Sequence, residues 1–359
     1  MSRRGVADMD GVSVVVPTLG RPSLAALLRA LTVLGSGRVA GAIPVEVVLV
    51  DDRPGAAEAA PLPVPAELAP VTRVVAGRAA GPAAARNRGW RAARYGWVAF
   101  LDDDVVPGPD WPARLATDLR VPAEVGGVQG RVRVPLPAGR RPRDWERTTA
   151  ALAGGRWITA DMAYRRVALA HVGGFDERFP RAYREDAELA YRVGAAGWRL
   201  VVGERQVTHP VRPQPRWASV RVQWGNADDA LLRRLYGRRW RQRLGLARGR
   251  RPAHVVTTAS GLLAVAATLA ARHGRVTRSG PPARAVRAVR AVGWLGWLGW
   301  LAGTGQFALA RIRSGPPAPA ELAEMALTSL AIPPAATACW LVGWWRARHA
   351  APWPGGPNW

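Results

Sequence analysis

Lysine is missing altogether: all 51 basic residues of this 359-residue chain are Arg, against 26 Asp and Glu, for a formal net charge of +25. That absence, together with 39 Gly and 31 Pro, fits a GC-rich coding genome and says little about function. The positive excess itself draws the surface to polyanions, whether membrane headgroups, nucleic acid or nucleotide phosphates. Cysteine is nearly absent too, and Cys339 alone excludes an internal disulfide and suits a reducing compartment. No zinc-type His/Cys spacing, phosphate loop ending in Gly-Lys or Gly-x-Ser-x-Gly nucleophile motif occurs. No signal peptide is visible either, because the first apolar run, 12–16, is short and stops at Pro17.

Against this basic background stand three consecutive aspartates, Asp102-Asp103-Asp104, closing the apolar run 97–101. Carboxylates crowded at one strand end repel one another unless a divalent cation or metal-bound diphosphate offsets the charge. The alternative is a solvated acidic turn that caps the next helix. Short β-branched runs alternate with helical patterns from residue 12 to about 204, which predicts an α/β fold with a mainly parallel sheet. Strands are expected over 13–16, 45–50, 71–75 and 97–101. Helices are expected from Leu24 to a stop at Gly35, and over 81–94. Ligands bind beyond the carboxyl ends of such strands, so Pro17-Thr18, Asp51-Asp52 and Asp102 to Asp104 should share one rim.

Beyond residue 205 the character changes. Arg233 to Arg251 is a dense basic run, followed by three long, nearly uncharged stretches at 253–271, 291–310 and 325–345. Each approaches the roughly 20 residues that cross a bilayer. The Arg-rich linker from Arg272 to Arg290 belongs on the cytoplasmic side by the positive-inside rule. The two later stretches are therefore expected to form a two-span hairpin, with 253–271 along the interface or packed on the protein. The division expected is a catalytic domain over 1–210, a basic juxtamembrane linker over 211–252 and a hydrophobic helical region over 253–359. Buried soluble helices throughout are the alternative.

The order of the N-terminal motifs resembles the family 2 glycosyltransferases of GT-A fold. The motifs are Val14-Val15-Val16-Pro17-Thr18, Val48-Leu49-Val50-Asp51-Asp52, Ala85-Arg86-Asn87-Arg88-Gly89, Phe100-Leu101-Asp102-Asp103-Asp104, Gly173-Gly174-Phe175-Asp176-Glu177 and Glu185-Asp186. The resemblance implies a cytoplasmic GT-A domain, followed by C-terminal hydrophobic helices, at the cell membrane. It implies transfer of a sugar from a nucleotide-diphosphate donor to a glycan or lipid-linked acceptor, with inversion. Pro17, Thr18, Asp51, Asp52, Arg86, Asp102 and Asp103 would contact the nucleotide sugar. Asp104, with Asp102 and His209, would hold a divalent metal, Mg or Mn, against the leaving diphosphate.

Asp186 would act as general base on the acceptor hydroxyl, with Glu185 orienting it. Blander roles stay open at each position. Asp51 and Asp52 could cap a turn, Arg86 could be structural, Glu185-Asp186 could be helix N-terminal charge, and His209 could be a loop histidine without ligand role. Gln214-Pro215-Arg216-Trp217 falls one residue short of the Gln-x-x-Arg-Trp motif of processive synthases, which argues against a polymerase. The rival readings are a basic nucleic-acid-binding protein, disfavoured by the clustered aspartates, and a catalytically inactive GT-A binding module.

Overall fold

The computed structural model describes residues 10–39, 43–56, 58–273 and 282–351. The chain forms two compact units. One comprises residues up to Leu136 together with Thr148–Arg212, and the other Pro137–Arg147 together with Pro213–Ala351.

The first unit is built on a nine-stranded mixed sheet. Its strands are β1 (Val12–Thr18), β2 (Arg38–Val39), β3 (Ile43–Asp51), β4 (Thr72–Ala76), β5 (Trp97–Leu101), β6 (Val106–Pro107), β7 (Val125–Arg133), β8 (Asp161–Arg165) and β9 (Arg199–Thr208). The parallel core runs β4-β3-β1-β5, after which β8 pairs antiparallel with β5 and β7 antiparallel with β8. Both sheet faces are covered, so β1 and β3 read as continuous apolar runs rather than alternating ones. Val14, Val16, Val47 and Leu49 point into one core, Val15, Val48 and Val50 into the other.

Helices α1 (Leu24–Ala30), α2 (Pro82–Ala92), α3 (Trp111–Asp118), α4 (Asp144–Ala150, starting in the second unit), α5 (Arg166–Val172) and α6 (Glu185–Ala195) complete this part. The first helix tightens into a 3-10 turn ending at Gly35, as its leucine spacing suggests. Close packing sets the position of α2. A Cβ on Gly89 would come within 2.2 Å of Val15 Cγ1, so only glycine lets the helix approach β1. Strands β7 and β8 have no counterpart in the sequence reading, since glycines and polar residues interrupt their apolar pattern.

The second unit is helical: α7 (Ala218–Arg221), α8 (Gly225–Tyr236), α9 (Trp240–Arg243), α10 (Arg251–His273), α11 (Ala283–Ser314) and α12 (Pro319–Arg346). Within the basic 211–252 stretch, α8 buries Leu232 and Asp229, and Arg241 pairs with Asp229. Pro333 and Pro334 lie inside α12 without ending it, and Thr337 bonds back to the Pro333 carbonyl at 2.9 Å. Helices α10 and α12 are long and apolar enough to cross a bilayer by length and composition.

Candidate active site

The carboxyl ends of β1, β3 and β5 open onto a cavity of about 760 Å³. Pro17, Thr18, Asp52, Arg86, Asp102, Asp103, Asp104, Glu185, Asp186 and His209 all line it, so ten residues far apart in sequence meet on one rim. Each aspartate of the triplet has a different partner. Thr18 Oγ1 donates to Asp103 Oδ2 at 2.8 Å, which fixes the turn after β1 to the end of β5. Asp102 Oδ1 accepts from Arg86 Nη2 at 2.7 Å. Asp104 is held by Arg212, and its Oδ1 lies 3.4 Å from His209 Nε2. Burial pushes the Asp104 carboxyl above the usual range, and Asp102 adds to this, while His209 and Arg212 oppose it.

Asp51 and Asp52 separate in role. Arg53 donates to Asp51 through Nε (2.8 Å) and Nη2 (2.6 Å), holding that carboxyl below its ordinary pKa. Asp51 is absent from the cavity wall, and its carboxylate is spent on this local pair. Asp52 instead accepts backbone N–H bonds from Arg78 (3.0 Å), Ala79 (2.8 Å) and Gly81 (3.2 Å), so it pins the loop that launches α2.

Arg86 is fully buried and bridges the two halves of the site. Its Nη2 reaches Asp102, its Nη1 donates to Glu185 Oε1 at 2.7 Å, and its guanidinium lies 5.6 Å from the Phe175 ring. Burial works against its charge, but Asp102 and Glu185 outweigh it and hold its pKa above the ordinary value. Both of its polar partners are carboxylates of the site itself. Next to it, Asn87 receives the Phe175 N–H at 2.8 Å and donates to the Phe175 carbonyl at 2.8 Å. Gly174, at φ +77°, passes so close that a Cβ would sit 2.4 Å from Asn87 Oδ1. The Ala-Arg-Asn motif therefore latches the Gly-Gly-Phe loop with one side chain and the acidic pair with the other.

Glu185 and Asp186 open helix α6 directly after Arg184, whose φ of +74° is a left-handed conformation that non-glycine residues rarely adopt. Burial raises the Glu185 pKa to about 7, with Asp186 adding to the rise and Arg86 opposing it. Burial also raises Asp186, whose Oδ1 accepts the Ala187 N–H at 2.7 Å. Two buried atoms, Glu185 Oε2 and Arg86 Nε, have no protein hydrogen-bond partner, which leaves acceptor and donor capacity at the site. Sequence reasoning did not single out Asn87, Arg212 or Arg53. Among 51 arginines, residue type carried no signal for the last two.

Among the described residues no three His, Cys, Asp or Glu side chains come together as a metal cage. Asp104 and His209 instead form a two-donor pair at the cavity wall. That suits a cation completed by diphosphate oxygens and water, as is usual for Mg²⁺ at phosphate sites.

Residues 13–187 match the model of glycosyl transferase family 2. Over these residues, just under half of the chain, it is similar to that family. A curated relative, the pre-mycofactocin glycosyltransferase of Mycobacterium tuberculosis, known from strains CDC 1551 / Oshkosh and H37Rv, is 33% identical over 167 residues. The match covers 42% of this chain and 35% of that protein, so the chain spans about a third of the length of the curated relatives it matches. Among solved structures, the mannosyltransferase PcManGT from Pyrobaculum calidifontis, in complex with GDP-Man and Mn²⁺, is similar at 18% identity and TM-score 0.44. That match covers 96% of this chain and 89% of that one. Glucosyl-3-phosphoglycerate synthase from M. tuberculosis, in complex with Mn²⁺, UDP and phosphoglyceric acid, is similar at 17% identity and TM-score 0.42, covering 67% and 80%.

Proposed function

We propose that this chain is a membrane-associated, metal-dependent glycosyltransferase. It moves one sugar, with inversion, from a nucleotide-diphosphate donor to a hydroxyl of a glycan or lipid-linked acceptor, and its catalytic unit lies on the cytoplasmic side of the cell membrane. The observation that carries the reading is the single cavity onto which both the Asp102 to Asp104 strand end and the Glu185-Asp186 helix start open. Diphosphate needs positive charge nearby, and the acceptor needs a base on the opposite side of the anomeric carbon. Two long apolar helices support membrane association.

Asp104 and His209 would hold the divalent metal, Mg or Mn, which when bound neutralises the leaving diphosphate. Thr18, Asp52 and Asp103 shape the nucleotide end of the cavity, with Pro17 in the same wall. Asp186 takes the proton of the acceptor hydroxyl as that oxygen attacks the anomeric carbon. A raised carboxyl pKa makes it a stronger base than an exposed aspartate. Glu185, held by Arg86, orients that base.

The test is calorimetric binding of a panel of nucleotide diphosphates and their sugars with Mn²⁺ or Mg²⁺, followed by slow donor hydrolysis without an acceptor. Asp104→Ala should weaken metal and nucleotide binding together, while Glu67→Ala, at an exposed site, should leave both unchanged. Metal-independent binding, or equal binding by the Asp104 variant, sinks the proposed site.

A further inference from the structure

The two ends of the cavity rim differ in chemistry. Asp52 follows β3, Thr18 ends β1 and Asp102 follows β5, so the rim runs in the order of the sheet, away from the end assigned above to the nucleotide and toward β8. Strand β8 is antiparallel to β5, with Asp161 opposite Leu101, so the residues just before β8 reach the rim beyond Asp102. Of these, Ile158, Thr159 and Ala160 line the cavity, joined by Leu152. Arg86 links Asp102 to Glu185, which brings the acidic pair to this same end. Thr18, Asp52 and Asp103 make the nucleotide end polar. The wall beyond Asp102 has no charged side chain, and its one hydroxyl belongs to Thr159, which is buried.

This apolar wall is held in shape by a polar side chain behind it. Gln129, buried on β7, donates through Nε2 to the Gly155 carbonyl at 3.1 Å and accepts the Trp157 N–H at Oε1. Trp157 sits at φ +62°, a left-handed conformation that a bulky residue adopts only where its surroundings impose it. Leu152 and Ile158 are half-buried and pack against the core on one face of the sheet, which leaves their remaining surface to the cavity. A sugar carries a hydroxyl on nearly every carbon, and such a wall would strip water from those groups without returning hydrogen bonds. An alkyl or aryl group loses nothing there and gains burial. One buried hydroxyl among apolar neighbours suits a ligand with a single polar point.

We infer that the acceptor hydroxyl is carried on an apolar body, an alkyl or aryl alcohol, which lies along Leu152 and Ile158 with its O–H toward Asp186. This rests on the glycosyltransferase reading above and narrows its acceptor. Leu152 and Ile158 select the acceptor and take no part in the chemistry, while Gln129 positions the loop that carries Ile158.

The test uses the full detergent-solubilised chain, with Cys339→Ser as background and a single cysteine at Ile158→Cys, and its first readout needs no turnover. Either 3-phenylpropanol or 1-hexanol should slow maleimide labelling of that cysteine roughly fivefold, as mass action gives at a free concentration about four times Kd. Methyl glucoside at the same concentration should not. The stronger of the two alcohols tells an aryl from an alkyl acceptor. Labelling at Val33→Cys, exposed on the same unit, should respond to none of the three, which separates cavity binding from partition into detergent. Leu152→Cys gives the same readout should Ile158→Cys fail to fold. Protection by methyl glucoside as strong as by the alcohols, or protection by neither alcohol, overturns the inference. With Mn²⁺ and a nucleotide sugar that the wild-type chain hydrolyses, transfer to the alcohols should exceed transfer to methyl glucoside about tenfold or more, a discrimination that one methylene can make in an apolar pocket. The reverse preference overturns the inference and leaves glycosyl transfer standing. Protection by the alcohols without nucleotide-sugar binding overturns the acceptor assignment and the glycosyltransferase reading together.

Discussion

The two units handle charge and apolar surface in opposite ways. In the α/β unit the apolar residues face inward on both sides of the sheet, and buried charges sit in specific pairs, Arg86 with Asp102 and Glu185 at its carboxyl edge among them. In the helical unit, leucines of α10 and α11 and Trp294 face outward, and buried charge is paired, as at Arg311 with Asp144 and at Asp229 with Arg241. The α/β unit thus surrounds a polar cavity, while the helical unit leaves apolar side chains exposed. Charge placement separates them where hydrophobic content does not.

The contrast can be broken first at Arg86. Arg86→Met leaves Glu185 and Asp102 without their shared cation, and loss of one member of a buried pair costs about 3–5 kcal/mol. Urea unfolding of the detergent-solubilised chain should register that loss. Activity should also respond to pH. Transfer should decline as pH falls through about 7, where the Glu185 and Asp186 pair takes up a proton, and without the Arg86 charge this limb should move to higher pH. An unchanged midpoint in both measurements would leave Arg86 no role in the site.

Asp186→Asn probes the chemistry without altering the fold. Shape is kept and proton-accepting charge is lost, so single-turnover transfer at saturating donor should slow by roughly 100-fold or more with donor affinity intact. NMR of the product gives its anomeric configuration, and retention would eliminate single displacement. A wild-type rate would eliminate Asp186 as base.

The smallest effect compares the two surfaces directly. Val33 and Leu298 are exposed to a similar degree, 56% and 59%, one in each unit. Val33→Arg should change stability by no more than about 0.5 kcal/mol, as surface changes usually do. Leu298→Arg should cost about 2.5 kcal/mol of membrane insertion, read as loss of the membrane-retained fraction. Equal, small effects at both positions would place the helical unit in water.

How much of this was legible in the chain follows from the range of each interaction. The continuous apolar runs ending in Pro17-Thr18, Asp51-Asp52 and Asp102 to Asp104 are local patterns, and the structure puts strands where they predict and their ends on one rim. The start of α6 at Glu185 was equally local. Strands β7 and β8 were not, because Gly126, Gly127 and Gly130 make room for neighbouring side chains that sequence does not display.

By itself, then, the sequence determined the parallel core, the order of the motifs and the presence of three uncharged stretches long enough for a bilayer, because each depends on periodicity or length. Tertiary structure decided which carboxylates face the cavity. It turned Asp51 onto Arg53, gave Asp52 to three backbone amides and placed Arg86 between Asp102 and Glu185. It also decided which helices run side by side, since Gly296 against Ala264 and Arg311 against Asp144 join residues 32 and 167 positions apart. Those choices rest on the geometry of partners distant in the chain, which no local pattern of hydrophobicity or charge encodes.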